Sequence, residues 1–297
     1  MGSSTLPAFT NSTFVAPYQV YQLETALPID ANQYTKLFFR AGSDHFIPPV
    51  FDQKYKLRQT FNTYDVAGNV LHILKEGQSS TSFLWDYSKT LIVAKADNAA
   101  PNQIAYAGFE ADVNGLFVNN NYLKLDPNNW DFDPTPGLTT HIQSAGGFTG
   151  RGCYRLDGGW SLERGNLPEG NYEVCFWARG GLDKIYIFAT QELSRYEGPA
   201  NTNSLDYRLV RVRVHVAAGS SIKIDAYGRQ VDIDEVRLYP VGAQMTTYTH
   251  DPLVGVTSMS DVNCRPTFYE YDGLQRLKVV RDAEGNITKH FEYRYQQ

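Results

Sequence analysis

The chain has 297 residues, enough for roughly two domains with a sizeable core, so size alone demands no disulfide or metal staple. Its 20 Tyr, 16 Phe and 4 Trp suit pleated, half-buried strands, and its 24 Gly and 14 Pro supply turn chemistry, which together predict an all-β fold. A formal net charge of −5 with no basic block argues against a nucleic-acid partner, and no segment approaches the about 18 uninterrupted apolar residues of a membrane helix, so membrane insertion is not expected.

Residues 1–60 carry Tyr18, Val20, Phe38, Phe39 and Phe51 in short strand-like runs broken by Pro7, Pro17, Pro28, Pro48 and Pro49. They form a β-rich segment to which the sequence assigns no separate role.

From residue 61 to 103 and again from 241 to 297 the chain repeats itself with a period near 21 residues. The anchor is an aspartate after or near an aromatic, with an apolar residue five positions on: Asp65 with Val70, Asp86 with Leu91, Asp251 with Val256, Asp272 with Leu277. A second acidic residue follows each anchor at Glu76, Asp97, Asp261 and Asp282, the last opening the tight turn Asp282-Ala283-Glu284-Gly285-Asn286. The pattern predicts one hairpin per unit: an aromatic-Asp start, a strand with Leu277 and Val279 on it, a Gly-Asn turn, and a return strand with Ile287, Phe291, Tyr293 and Tyr295. One hairpin cannot bury its own face, so the units are expected to stack with each other or with more of a longer chain.

Between the two blocks, from 104 to 240, the period vanishes and strand runs alternate with Gly/Pro/Asn clusters. Strands are predicted at Gly152–Leu156, Tyr172–Ala178, Lys184–Ala189, Tyr207–Val216, Ile222–Ala226 and Val231–Tyr239, with a long loop from Asp126 to Gly137. Strands of this length and spacing argue for a two-sheet sandwich inserted into the repeat array. Because the ends of such a sandwich lie close together, the two flanking blocks are expected to meet in one sheet.

The repeat blocks resemble the YD repeats of RHS-type bacterial surface and toxin-associated proteins. Tyr271-Asp272-Gly273-Leu274-Gln275-Arg276-Leu277 with Asp282-Ala283-Glu284-Gly285-Asn286-Ile287 carries the likeness most fully, and Thr63-Tyr64-Asp65-Val66-Ala67-Gly68-Asn69-Val70 carries it again. The units at Asp86 and Asp251 are degenerate, with Trp85 and His250 where the family has tyrosine. The resemblance implies a β-rich shell, secretion or display on a bacterial surface, and no active site within the repeats. The end of the chain just after a complete unit fits the C-terminal part of such a protein.

The insert resembles the jelly-roll sandwich of carbohydrate-binding modules, through Gly108-Phe109-Glu110, Thr149-Gly150-Arg151-Gly152, Gly170-Asn171-Tyr172-Glu173-Val174-Cys175-Phe176-Trp177-Ala178-Arg179 and Asp234-Glu235-Val236-Arg237-Leu238. In that family a structural calcium often ties the first strand to the last through a carboxylate from each, and Glu110 and Asp234 occupy the matching positions. Asp232 would share the strand face of Asp234. The alternative is that Glu110 and Asp234 are strand-end residues accepting turn hydrogen bonds.

Sugar binding needs exposed aromatic faces, and Tyr122, Trp130, Trp160 and Tyr196 lie in loop-like segments able to provide them, whereas Trp177 is assigned to the core. The nucleophile-elbow, zinc-protease, phosphate-loop and dinucleotide motifs are all missing, so a non-catalytic protein is expected. Cys153, Cys175 and Cys264 are an odd number without metal spacing, and they leave disulfide status open. The expected partners are a glycan or another secreted or surface protein; an architectural shell without glycan binding is the main alternative, and a polysaccharide-active enzyme the last.

Overall fold

A computed structural model describes residues 16–30, 32, 52–77, 80–110, 116–118, 121–123, 128–132, 141–157, 161–201 and 206–295. The fold is all-β with antiparallel sheets, and the chain divides into two compact units, residues 1–80 and 81–297. The division falls inside the first repeat block.

In the first unit, β1 (Gln19–Leu23), β2 (Tyr55–Tyr64) and β3 (Val70–Lys75) pair in sequence order as an antiparallel meander. Of the aromatics expected to mark strands there, Phe38, Phe39 and Phe51 lie outside the described residues.

The second unit opens with the hairpin of β4 (Ser80–Asp86) and β5 (Leu91–Asp97). The insert follows: β6 (Ala105–Ala107), β7 (Leu116–Val118), β8 (Asn121–Leu123), β9 (Asp131–Phe132), β10 (Ile142–Gln143), β11 (Cys153–Leu156), β12 (Leu162–Arg164), β13 (Gly170–Gly180), β14 (Ile185–Phe188), β15 (Gln191–Ala200), β16 (Arg208–Val216), β17 (Ile222–Ala226) and β18 (Val231–Pro240). The chain then closes with β19 (Gln244–Asp251), β20 (Gly255–Ser260), β21 (Pro266–Tyr271), β22 (Leu277–Arg281) and β23 (Ile287–His290).

Strand β5 pairs with β19 in the register Asp97 to Gln244 and Ala94 to Thr247, so the blocks on either side of the insert share one sheet, as expected. From β19 the sheet continues through β20, β21 and β22 to β23.

The recurrent aspartates have a local reason. Asp65, Asp261, Asp272 and Asp282 each accept, on one carboxylate oxygen, the amides two and four residues ahead, at 2.8–3.0 Å. The residue three ahead of each takes a left-handed backbone: Gly68 (φ 88°), Cys264 (62°), Gln275 (62°) and Gly285 (85°). The side chain therefore does the work of a backbone carbonyl in a tight hairpin turn, which is why Asp recurs and Gly suits the fourth position. The degenerate units depart from this geometry. Asp86 accepts the neighbouring Tyr87 amide at 2.8 Å before three left-handed residues, Tyr87, Ser88 and Lys89, and Asp251 accepts the Leu253 amide two ahead at 3.2 Å.

Among the described residues the insert has two large antiparallel sheets and a separate β7-β8 hairpin. One runs β10-β11-β18-β13-β16-β15, with β6 also on β18; the other runs β14-β17-β12-β9. Alternation fixes their inner faces. Val210, Val212, Val214 and Val216 of β16 and Val174, Phe176 and Ala178 of β13 meet Ile185 and Ile187 of β14, Ile222 and Ile224 of β17 and Leu162 of β12 in one buried core. A second, smaller core of Leu84, Val93, Ala96, Ile104, Tyr106, Tyr239 and Met245 joins the insert to the hairpin sheet. A bond between Cys175 in β13 and Cys264 in the turn after β20 ties the same two parts covalently.

The six strands predicted for the insert all occur, but the edge strand β15 was read as a loop. Its exposure explains this: residues 191–197 are all exposed, so no apolar alternation marks the strand.

Candidate functional site

Two places bring the chemistry-bearing residues together. The first is the middle of β18, where Glu235 has a left-handed backbone (φ 55°) at a bulge opposite β13, between Cys175 and Trp177. The bulge breaks strand alternation, and Asp234 and Glu235 both reach the same loop: Thr149 Oγ1 lies 3.3 Å from Asp234 Oδ2 and 3.1 Å from Glu235 Oε1. Asp234 also accepts the amides of Phe148 and Thr149 at 2.8 Å and that of Glu235 at 2.6 Å. Glu110 grips the far side of the loop, accepting the amides of Arg151 at 2.8 Å and Gly152 at 2.6 Å. A Cβ at Gly150 would strike the Glu110 carboxylate, and one at Gly152 the Phe109 carbonyl, which accounts for both glycines.

Glu235 accepts from Tyr106 Oη at 2.5 Å, Thr247 Oγ1 at 2.7 Å and Arg237 Nη2 at 2.9 Å. Burial works to raise its pKa, but the Arg237 guanidinium and these donors outweigh it and hold the carboxyl below its ordinary value. Asp234, equally buried, is pushed well up, first by burial and then by the negative charge of Glu235. Burial likewise raises Glu110, against the pull of the Gly152 and Arg151 amides. Asp232 shares the strand face of Asp234, as expected, but serves other partners: Arg155 and Arg179 both bind its carboxylate, at 2.7–3.1 Å, and together overcome burial to lower it.

The calcium implied for Glu110 and Asp234 meets a mixed setting. Three carboxylates against one guanidinium leave a surplus of negative charge that a cation would offset. Yet Glu110 and Asp234 accept from N–H and O–H donors, where a hard cation takes oxygen ligands. Among the described residues no three His, Cys, Asp or Glu side chains converge as a metal-holding group. The arrangement is that of two carboxylates clamping one loop, the alternative that the sequence also offered.

The second place is an open groove of about 800 Å³ between the outward face of β15 and β16 and the turns at 263–265 and 284. Alternation along β16 turns Leu209, Arg211 and Arg213 outward, and Arg265 comes from the hairpin sheet. Glu173 accepts from Arg213 Nε at 3.1 Å and forms an ion pair with Arg211 at 3.1 Å, Arg195 bonds Glu192 at 2.9 Å, and Arg265 pairs with Glu284. Tyr196, on β15 rather than on a loop, stands 55 % exposed at the rim.

The other aromatics expected at a ligand site lie elsewhere. Trp130 is in the core, fully buried, its indole N–H donating to the Val236 carbonyl at 3.1 Å, so its face is not presented to solvent. Trp160 and the side chain of Tyr122 lie outside the described residues. Trp177 is buried as expected, stacked on Phe148 at 4.1 Å and bonded to the Cys264 carbonyl at 3.0 Å. The groove arginines were legible as an alternating Arg-Val-Arg face in 211–213, whereas the role of Glu235 depends on a bulge that leaves no sequence signal. No protein-family model matches the chain, and no curated protein matches it.

Proposed function

We propose a non-catalytic structural and binding role: the chain is part of a secreted or surface-displayed bacterial protein of the YD-repeat kind, with a jelly-roll insert that presents a groove to a glycan or a partner protein. The observation that carries this reading is the open groove at Tyr196, where an exposed aromatic ring stands beside four arginines and two asparagine side chains. Such a mixture of apolar ring and fixed hydrogen-bond donors suits recognition of a polar ligand. The Asp-capped turns at Asp65, Asp261, Asp272 and Asp282 support the repeat resemblance, and the Cys175–Cys264 bond supports an oxidising, extracellular setting.

A glycan array probed with the full chain and with Tyr196→Ala tests the groove. Binding that the substitution abolishes supports it; binding that survives places recognition elsewhere. A second reading, an architectural shell segment without glycan binding, is favoured by the pairing of Arg195, Arg211, Arg213 and Arg265 with carboxylates of the chain itself. Failure to bind any array glycan, with tight association to another chain, would select it. Calcium at Glu110 and Asp234 remains a proposal resting on the charge surplus there.

A further inference from the structure

The outer face of the four-stranded sheet carries a feature that neither the core nor the hairpin sheet explains. Strand β14 alternates strictly: Ile185 and Ile187 are buried, while Tyr186 and Phe188 are 43 % and 45 % exposed. Tyr227, just past β17, is 49 % exposed and joins them. The Tyr186 and Phe188 rings lie side by side with centroids 6.4 Å apart and planes 26° apart, and Tyr227 meets Tyr186 edge-on at 5.3 Å. Three large rings in mutual contact and each nearly half exposed form a contiguous aromatic surface. Such patches on soluble domains are usually recognition sites.

Strand register sets polar groups beside the rings. One rung crosses all four strands: Phe188 opposite Lys223, Lys223 opposite Glu163, and Glu163 opposite Asp131. On the next outward rung Tyr186 stands opposite Asp225, which bonds Lys223 at 3.2 Å. The Phe188 end of the platform opens on a shallow depression of about 560 Å³ lined by Glu163, Asn166, Thr190, Ser220 and Ser221. Hydroxyls, an amide and carboxylates thus border an aromatic surface.

Ring-on-ring packing at an edge strand contributes roughly 0.5–1.5 kcal/mol per pair, which explains why the rings touch but not why they remain open to solvent beside hydrogen-bonding groups. A pyranose answers both features, since its C–H face stacks on a flat ring while its hydroxyls bond carboxylates and amides around the edge. The charge selects further. Lys223 is paired by Asp225, itself 1 % exposed, so Asp131 and Glu163 leave the rung negative and disfavour uronates, phosphates and nucleic acid. We propose that this face, centred on Tyr186, Phe188 and Tyr227, binds an uncharged saccharide chain. The inference rests on the binding reading above but names a different surface from the Tyr196 groove and a ligand class.

The test is native gel electrophoresis of the full chain through gels containing hydroxyethylcellulose, xylan, galactomannan or polygalacturonate. The variants are Phe188→Leu, Tyr186→Leu and Tyr196→Ala, each checked for an unchanged thermal midpoint. Leucine keeps the apolar volume and removes the ring face, so the variants are expected to fold. Retardation by at least one of the three neutral polymers is expected, about ten-fold weaker in Phe188→Leu and Tyr186→Leu. No retardation by any neutral polymer, retardation by polygalacturonate alone, or retardation that Phe188→Leu leaves intact overturns the proposal. Retardation lost only in Tyr196→Ala moves the glycan to the groove, which keeps the binding reading and refutes this one. Binding of no polymer at all, with a change of sedimentation coefficient in Tyr186→Leu, would make the face a contact between copies and refute it as well.

Discussion

Replacing Glu235 with alanine should be among the most damaging single changes to the second unit. Glu235 and Arg237 are each 1 % exposed and bonded at 2.9 Å, and Glu235 also serves Tyr106, Thr149 and Thr247. Truncation strands a buried guanidinium that still bonds the Asp261 carbonyl at 2.8 Å, and removes the acceptor of three hydroxyls. Breaking a buried pair from one side costs about 3–5 kcal/mol, a large part of the about 5–15 kcal/mol that holds a typical domain. At about 2–4 °C per kcal/mol for a unit of this size, the thermal midpoint should fall by roughly 10 °C. Circular dichroism melts and urea titrations of Glu235→Ala, Glu235→Met, Arg237→Met and the double variant Glu235→Met/Arg237→Met measure it. The double variant removes both charges, so it should recover about 2 kcal/mol relative to the worse single change, and the cycle yields the coupling directly. A midpoint shift under about 2 °C in Glu235→Ala, or a double variant as unstable as the sum of the singles, would refute the view of this pair as the polar hub between insert and hairpin sheet.

Other consequences can be checked alongside. The Arg276 guanidinium, with backbone amides, draws Asp272 down to about 2 from 3.8, so its stabilising effect is complete above pH 4 and is lost as pH falls towards 2; Asp272→Asn should flatten that part of a pH-stability curve, and an unchanged acid limb would contradict it. The Cys175–Cys264 bond spans 89 residues, for which chain entropy predicts about 4–5 kcal/mol, so a Cys175→Ser/Cys264→Ser variant should melt like the reduced protein and lose its sensitivity to reductant. Gly152→Ala drives a methyl into the Phe109 carbonyl and should cost about 1–3 kcal/mol, more than Gly219→Ala, whose position (φ 74°) is open; equal melts would refute the tight loop clamp. Calcium binding at Glu110 and Asp234 should raise the midpoint in calcium over chelator and lose that rise in Asp234→Ala, whereas coincident melts would leave the N–H clamp as the full account of both residues.

Local chemistry was the most legible part of the sequence. Asp272 and Asp282 announce their turns because a carboxylate that takes amides two and four residues on needs only a short stretch of chain, and the geometry then repeats wherever that stretch repeats. Buried alternation was legible for the same reason: β16 reads Val-Arg-Val-Arg-Val, and the valines could only face inward. Strand β15 was not legible because nothing packs on either face of residues 191–197, and period-2 patterning is a record of burial rather than of pairing. Trp130 was misjudged from the same shortage of signal. Its neighbours are Asn and Asp, yet its ring fills the core and only its N–H needs a partner, which a strand carbonyl supplies.

The sites follow the same division. The resemblance to carbohydrate-binding modules pairs Glu110 with Asp234, and the structure brings both to one loop. What they hold there is decided by the bulge at Glu235, whose positive φ turns a second carboxylate into the same space and imports Arg237 as its counter-ion. The aromatic face of β14 reverses the difficulty. Ile-Tyr-Ile-Phe is an apolar run in which every residue is able to face a core, and the sequence alone gives no reason to turn Tyr186 and Phe188 outward. The decision is made by β17, whose Ile222 and Ile224 claim the interior and whose Lys223 reaches solvent on the other side while pairing with the buried Asp225. Register with that neighbour forces the two rings onto the charged face. A binding surface can thus arise from two strands that each look ordinary, and its chemistry becomes readable only once their pairing is known.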